Sequence, residues 1–299
     1  MSAPGHVLSW LGTFRAQVDA ALPGMLPERH ELAAAVHDAM AAMLLSEGKR
    51  IRPALMLAVG KMYRVDPERL LPAAGAIEMV HTASLILDDL PSMDDARLRR
   101  GEPACHIKFG EATAILAAVA LLNRAFGILA GVLPDDATRD RLRGVAGRSL
   151  SDALGPDGLI GGQQADLDVR GDGAVDLARM EFIHSHKTGS LFIAAVEIGA
   201  RLSGATPEET GALVNYARNL GLAFQITDDL IDAVGDEATA GKTVRADAGK
   251  STFVSLCGID GSRTLAAELA GSAAASLELF GQRARQLREL ARYVAARDR

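Results

Sequence analysis

Apolar residues return every three or four positions through almost the whole chain, and no segment reads as the alternation of a half-buried strand. A chain patterned this way must bury its apolar stripes helix against helix. Short interruptions at Pro23-Gly24, Asp66-Pro67, Pro91, Gly101 to Pro103, Pro134-Asp135, Gly155 to Gly158, Gly171 to Gly173 and Thr206-Pro207 read as loops between antiparallel helices. Alanine and leucine dominate while only 4% of residues are aromatic, a mix that favours helices because both residues lose little side-chain freedom there. Thr206-Pro207-Glu208-Glu209 puts a capping threonine, a proline and two acids at the positive end of a helix dipole. With no internal repeat and no Pro/Ser-rich linker, residues 1–299 are expected to form one all-α domain of about ten or more helices.

Composition narrows the function classes. The hydrophobic share of 48% and charged share of 23% are those of a globular chain and not of a disordered one. A net charge of −6 argues against nucleic acid, whose phosphates call for a basic field. Cys105 and Cys257 are far apart and form no CxxC pair, so no thiol metal site or disulfide framework is expected, and a reducing cytoplasm fits. Met1 to Arg15 lacks the basic start and apolar run of a secretory signal. Ala112 to Leu122, the longest apolar stretch, is about half of what a bilayer requires, so no transmembrane segment is expected.

Chemistry concentrates in two acidic clusters. Asp88-Asp89-Leu90-Pro91-Ser92-Met93-Asp94-Asp95 sets four carboxylates at the end of an apolar helix that Pro91 must stop. Acids at a helix C-terminus oppose the dipole, so something cationic should compensate. In Asp228-Asp229-Leu230-Ile231-Asp232, the polar groups of Gln225, Asp228, Asp229 and Asp232 fall within a helical face of roughly 100°. A lone Asp-Asp pair is more often a solvated acidic face. Two arrays on apolar helices instead call for a divalent cation, and oxygen-only donors select a hard ion such as magnesium bridging a diphosphate.

Cationic residues accompany the acids. In Gly48-Lys49-Arg50-Ile51-Arg52-Pro53, read as a basic knot on a helix, Lys49 and Arg52 are neighbours on one face. His81 precedes Asp88 by two helical turns and Arg99-Arg100 follows across the proline break, where guanidinium forks suit phosphate oxygens. Lys187-Thr188, Gly241-Lys242 and Gly249-Lys250 offer further cations, each weak alone.

These residues, with Glu78-Met79-Val80-His81, Gly161-Gly162-Gln163 and Phe224-Gln225-Ile226-Thr227-Asp228-Asp229, give the chain from about Gly48 to Gly258 a specific resemblance to the trans-isoprenyl diphosphate synthases, most of all the bacterial carotenoid-type geranylgeranyl diphosphate synthases. The resemblance implies an antiparallel helical bundle around a deep central cavity, the isoprenoid synthase fold, as a homodimer. It implies magnesium, three ions with manganese as a substitute, held by Asp88, Asp94, Asp228 and Asp232 with Asp89 in support. Arg99, Lys187, Thr188, Gln225, Lys242 and Lys250 would hold an allylic diphosphate, and Lys49, Arg52, His81 and Arg100 isopentenyl diphosphate. Catalysis would fall to Asp88, Asp94, Asp228, Arg99 and Lys187. Departures from the family pattern are Glu47 in place of a second glycine, Ala96 in place of an acid, and a short Thr243 to Lys250 segment.

Farnesyl-making relatives carry a bulky aromatic where this chain has Ala83, and Ser84 beside it is also small, so a C20 product, geranylgeranyl diphosphate, is expected. The alternatives are a C15 farnesyl diphosphate synthase and a non-catalytic regulatory subunit, the latter expected to have lost acids from one cluster. A terpene cyclase would need no second diphosphate site, against which Lys49, Arg52, His81 and Arg100 speak.

Overall fold

A computed structural model describes residues 4–131, 137–169, 175–234 and 252–297. Among them the chain is a succession of α-helices: α1 Pro4–Met25, α2 Ala34–Leu44, α3 Ile51–Met62, α4 Pro67–Asp88, α5 Cys105–Phe109, α6 Glu111–Gly131, α7 Ala137–Leu154, α8 Leu159–Asp168, α9 Leu177–Lys187, α10 Gly189–Leu202, α11 Pro207–Val234, α12 Phe253–Ala275 and α13 Arg285–Ala296. The all-α expectation holds, with one small departure. Leu98–Arg99 (β1) and Glu102–Pro103 (β2) form a short antiparallel hairpin. Arg100 (φ 55°) and Gly101 (φ 81°) both have positive φ at its tip, the requirement of a two-residue turn whose twist matches its strands.

Local chemistry sets the helix ends. The Asp66 side chain accepts from the Glu68 amide and Pro67 fills the first turn, so α4 starts where a missing N–H costs nothing. Thr206 and Glu209 cap α11 reciprocally, hydroxyl to amide at 3.2 Å and carboxylate to amide at 3.0 Å. Pro23 breaks nothing: α1 runs on to Met25, the proline falling inside its last turn.

α4 packs against α3 and α6, and α10 lies against α3, α4, α7 and α11. From Ala73 to Ala83, α4 buries nearly every side chain, consistent with a helix apolar on all sides and covered on all of them. The main hydrophobic cluster reaches from Val7 in α1 to Val294 in α13, and a smaller one around Ile226, Leu230 and Phe253 joins α11 to α12. Tyr216, wholly buried, donates to the Leu287 carbonyl at 2.9 Å and ties α11 to α13.

α4 and α6 are each long and apolar enough to cross a membrane by length and composition, because α6 runs through Asn123 and Arg124 to Gly131. That corrects the sequence estimate, which stopped the segment at those residues. In α4, 67% of the apolar window is buried in the protein, against 39% in α6. Ile115, Leu116 and Val119 of α6 are exposed, while Arg124 turns inward to the Met25 carbonyl at 2.6 Å.

Candidate active site

The chain after α4 folds straight back. The amides of Met93 and Asp95 bond to the Leu90 carbonyl, and that of Asp94 reaches the Asp88 carbonyl at 2.9 Å. This turn returns Asp94 to the level of Asp88, so two carboxylates six residues apart share the mouth of one helix. Asp89 takes the opposite direction. It is fully buried and accepts a fork from Arg99, whose Nε lies 3.0 and 3.1 Å from its two oxygens and whose Nη2 also bonds to Oδ1. Burial alone would lower the Arg99 guanidinium, but Asp89, with Asp88 and Asp94, outweighs it and holds it above its ordinary value. Asp89 is therefore committed to the hairpin, leaving Nη1 of Arg99 for a ligand.

α8 and α9 complete the first cluster. Gln163 Nε2 donates to Asp88 Oδ1 at 2.7 Å, and Lys187 Nζ lies 2.8 Å from Asp166 and 3.4 Å from Asp88. Gly162 makes this meeting possible: a Cβ there would sit 2.2 Å from the Lys187 amide nitrogen, so only glycine lets α8 approach the end of α9 so closely. Asp166 carried no motif signal beyond lying three residues after Gln163, and Gln163 itself was only a mark of resemblance.

The next residue, Thr188, bonds to the second cluster. Its hydroxyl donates to Gln225 Oε1 at 3.0 Å, and Gln225 Nε2 donates to Asp229 at 3.0 Å. Asp229 also accepts from the Phe253 amide at 3.0 Å, facing the N-terminus of α12 where a negative charge is favoured. That spends its role on anchoring α12, while Asp228 remains a third exposed. Adjacent residues 187 and 188 thus touch the two aspartate clusters, which fixes the clusters within the reach of two neighbouring side chains.

The basic knot is helical only from Ile51 onward, not throughout as expected. α3 begins at Ile51, and Lys49 and Arg50 precede it, Arg50 in the left-handed region with φ 47°. Arg50 is buried, donating to Asp19 at 2.8 Å, to Glu78 at 2.6 Å and to the Leu44 and Ser46 carbonyls at 2.9 and 2.7 Å. It organises the turn that carries exposed Lys49. Arg100 reaches the same turn, donating to Ser46 Oγ at 3.1 Å, and a Cβ on Gly48 would meet its Nη1 at 2.9 Å.

Arg52 Nη1 lies 3.2 Å from His81 Nε2. Because guanidinium only donates, that nitrogen must accept, and His81 is neutral with its proton on Nδ1. Burial, then Arg52, Arg100, Arg99 and Arg50, hold the imidazole well below its usual range. Burial also pulls Arg52 down to about 10, against the pull of Glu78 and Asp228. Ala83 is fully buried on α4, and Ser84 Oγ donates to the His81 carbonyl at 2.8 Å. Lys242 and Lys250 lie outside the described residues. Cys105 and Cys257 are both free.

Among the described residues, no three His, Cys, Asp or Glu side chains converge tightly enough to hold a metal by themselves. The candidate donors are all carboxylates, a set that fits a hard cation completing its shell with ligand oxygens.

Known proteins of the same pattern place the chain. It is similar to the farnesyl diphosphate synthase of Escherichia coli K12, 44% identical over 84% of this chain and 86% of that protein. It is also similar to the chloroplastic geranylgeranyl pyrophosphate synthase of Capsicum annuum, 42% identical over 88% of this chain and 72% of that one. The structure of geranyltransferase from Helicobacter pylori, complexed with magnesium and isoprenyl diphosphate, superposes with a TM-score of 0.83 at 31% identity over 98% of this chain and 97% of that chain. The polyprenyl synthetase profile matches residues 33–283, and the chain belongs to that family, the trans-isoprenyl diphosphate synthases, as a short-chain prenyl transferase.

Proposed function

We propose that the chain condenses isopentenyl diphosphate with dimethylallyl, geranyl or farnesyl diphosphate in a magnesium-dependent reaction whose main product is geranylgeranyl diphosphate. The observation that carries this reading is the Lys187-Thr188 step, with Asp88 on one side and Gln225 before Asp228 on the other. In this reading Asp88 and Asp94, with Asp228 and Asp232, would hold three magnesium ions beside the allylic diphosphate. Manganese would substitute. The ions supply Lewis-acid stabilisation of the negative charge that grows on the leaving diphosphate. The magnesium in the Helicobacter pylori complex supports that part.

Lys187, Thr188, Gln225 and Nη1 of Arg99 bind and orient the allylic headgroup, while Lys49, Arg52, Arg100 and neutral His81 hold the isopentenyl one. Several guanidinium groups around one neutral imidazole make a local positive field inside a chain of net charge −6, which suits a dianionic ligand. No protein nucleophile is required: the isopentenyl double bond attacks the allylic cation and the released diphosphate takes the proton. Apolar side chains of α4 next to the site would keep out water that would quench the cation.

Relatives include farnesyl, geranylgeranyl and geranylfarnesyl synthases, so the C20 reading rests on Ala83, a small residue where the resemblance puts a bulky aromatic in farnesyl-making relatives. We also read the chain as one domain, cytoplasmic, and as a homodimer closed over the apolar stripe Ile115, Leu116 and Val119 of α6. The deciding experiment incubates the purified chain with labelled isopentenyl diphosphate and each primer, with and without magnesium, and sizes the products. Magnesium-dependent elongation to C20 is expected. A product stopping at C15 would support the farnesyl alternative, and no elongation with any primer would overturn the catalytic reading in favour of a regulatory subunit.

A further inference from the structure

The residue that follows α13 delivers a cation to the second cluster that no motif announced. Arg297 is the extended residue that follows α13, with φ −73° and ψ 147°. Its Nη2 donates to Asp228 Oδ1 at 2.7 Å and to the Phe224 carbonyl at 3.1 Å, and its guanidinium carbon lies 4.0 Å from the Phe224 ring centroid. Phe224 and Asp228 are one turn apart on α11, so a flat guanidinium can cover the ring and reach the carboxylate together. The Arg297 side chain is only 5% exposed, and its Nε is buried without a hydrogen-bond partner. On its other side Phe224 packs against Phe192 at 5.4 Å, and Arg52 lies 4.8 Å from the Phe192 centroid.

Asp228 is one of the carboxylates assigned to magnesium, and a buried guanidinium 2.7 Å from its Oδ1 competes with a divalent ion for that oxygen. A positive charge held this near would also repel the ion. We propose that Arg297 is the resident counter-ion of the second aspartate cluster, and that a divalent cation with diphosphate loads at Asp228 by displacing it. The latch neutralises an acidic array on an apolar helix while the site is empty. Release needs no helix to unwind, because the residue lies past the end of α13, and it frees a buried Nε that the latched state leaves unsatisfied.

This rests on the metal reading of Asp228, and manganese binding to the full chain separates the two. Free and bound manganese are measured by electron paramagnetic resonance with inorganic pyrophosphate present, for wild type, Arg297→Gln, Asp228→Asn and the double variant. Circular dichroism checks the fold of each. Losing the competing ion pair should tighten manganese binding in Arg297→Gln on the order of three- to tenfold, and the gain should vanish when Asp228 is also changed. If Asp228→Asn weakens binding but Arg297→Gln leaves it unchanged, the latch is wrong and the metal site stands. If Arg297→Gln weakens binding, Arg297 holds the ligand instead and the latch is overturned. If Asp228→Asn binds as wild type does, the metal reading falls and takes the latch with it.

Discussion

Asp88 receives two donors on one oxygen, Gln163 at 2.7 Å and Lys187 at 3.4 Å. The amide fixes the rotamer of the carboxylate without neutralising it, which is how a neighbouring side chain tunes a metal ligand. Replacing Gln163 by Ala should therefore lower metal affinity or turnover by about 10–100-fold with an unchanged melting temperature; magnesium-dependence curves read the first and calorimetry the second. His81 makes a prediction of its own. The unfolded chain takes up a proton near pH 6.5 that the half-buried imidazole, ringed by arginines, resists, so acid favours unfolding. Its contribution is complete above that pH and falls away below it, by up to about 1.4 kcal/mol per pH unit. Urea midpoints measured from pH 7 to pH 5 should drop more steeply for wild type than for His81→Asn. Equal slopes would mean that the imidazole takes up its proton in the folded chain as readily as in the unfolded one.

At the scale of the helix, α4 carries both the first cluster and the proposed ruler, and its rigidity links them. Ala83 is fully buried, so Ala83→Phe must displace neighbours and should cost about 1–3 kcal/mol from overpacking. It should also shorten the main product from C20 to C15, read by chromatography of the hydrolysed products. A destabilised enzyme still making C20 would leave Ala83 as helix packing alone. α12 is held differently. Asp229 accepts from Gln225 and from the Phe253 amide, next to the reciprocal cap of Thr252 and Ser255. Asp229→Ala leaves that amide unsatisfied and should cost about 1–3 kcal/mol, with faster hydrogen exchange at the start of α12 than at α4.

Over the whole molecule, the two helices that pass for membrane spans separate by what covers them. α4 is wrapped by its own chain, whereas α6 leaves Ile115, Leu116 and Val119 outward, a stripe that a second copy would cover under the homodimer reading. Val119→Lys would bury an unpaired ammonium from each subunit and should weaken a dimer by about 100-fold or more in Kd. Light scattering across a dilution series gives the answer; a wild type that is monomeric at all concentrations would end the dimer reading.

The sequence by itself determined that this chain is helical, where most of its helices break, and which acids matter, because periodicity, proline and charge clustering act over a few residues. Thr206-Pro207 reads correctly as a helix start since a cap needs only its own first turn, and Asp66-Pro67, read as a break, is where α4 begins. Which carboxylate faces a ligand and which is structural was decided by tertiary structure. Asp88 and Asp89 are identical neighbours in the chain, yet one meets Gln163, 75 residues away, and the other is sealed against Arg99 by a hairpin turn. Arg50 looked like part of a basic patch until Asp19 and Glu78 closed on it from two other helices. Nothing local marks Arg297, because its partner Asp228 lies 69 residues away and only the packing of α13 against α11 brings a cation there.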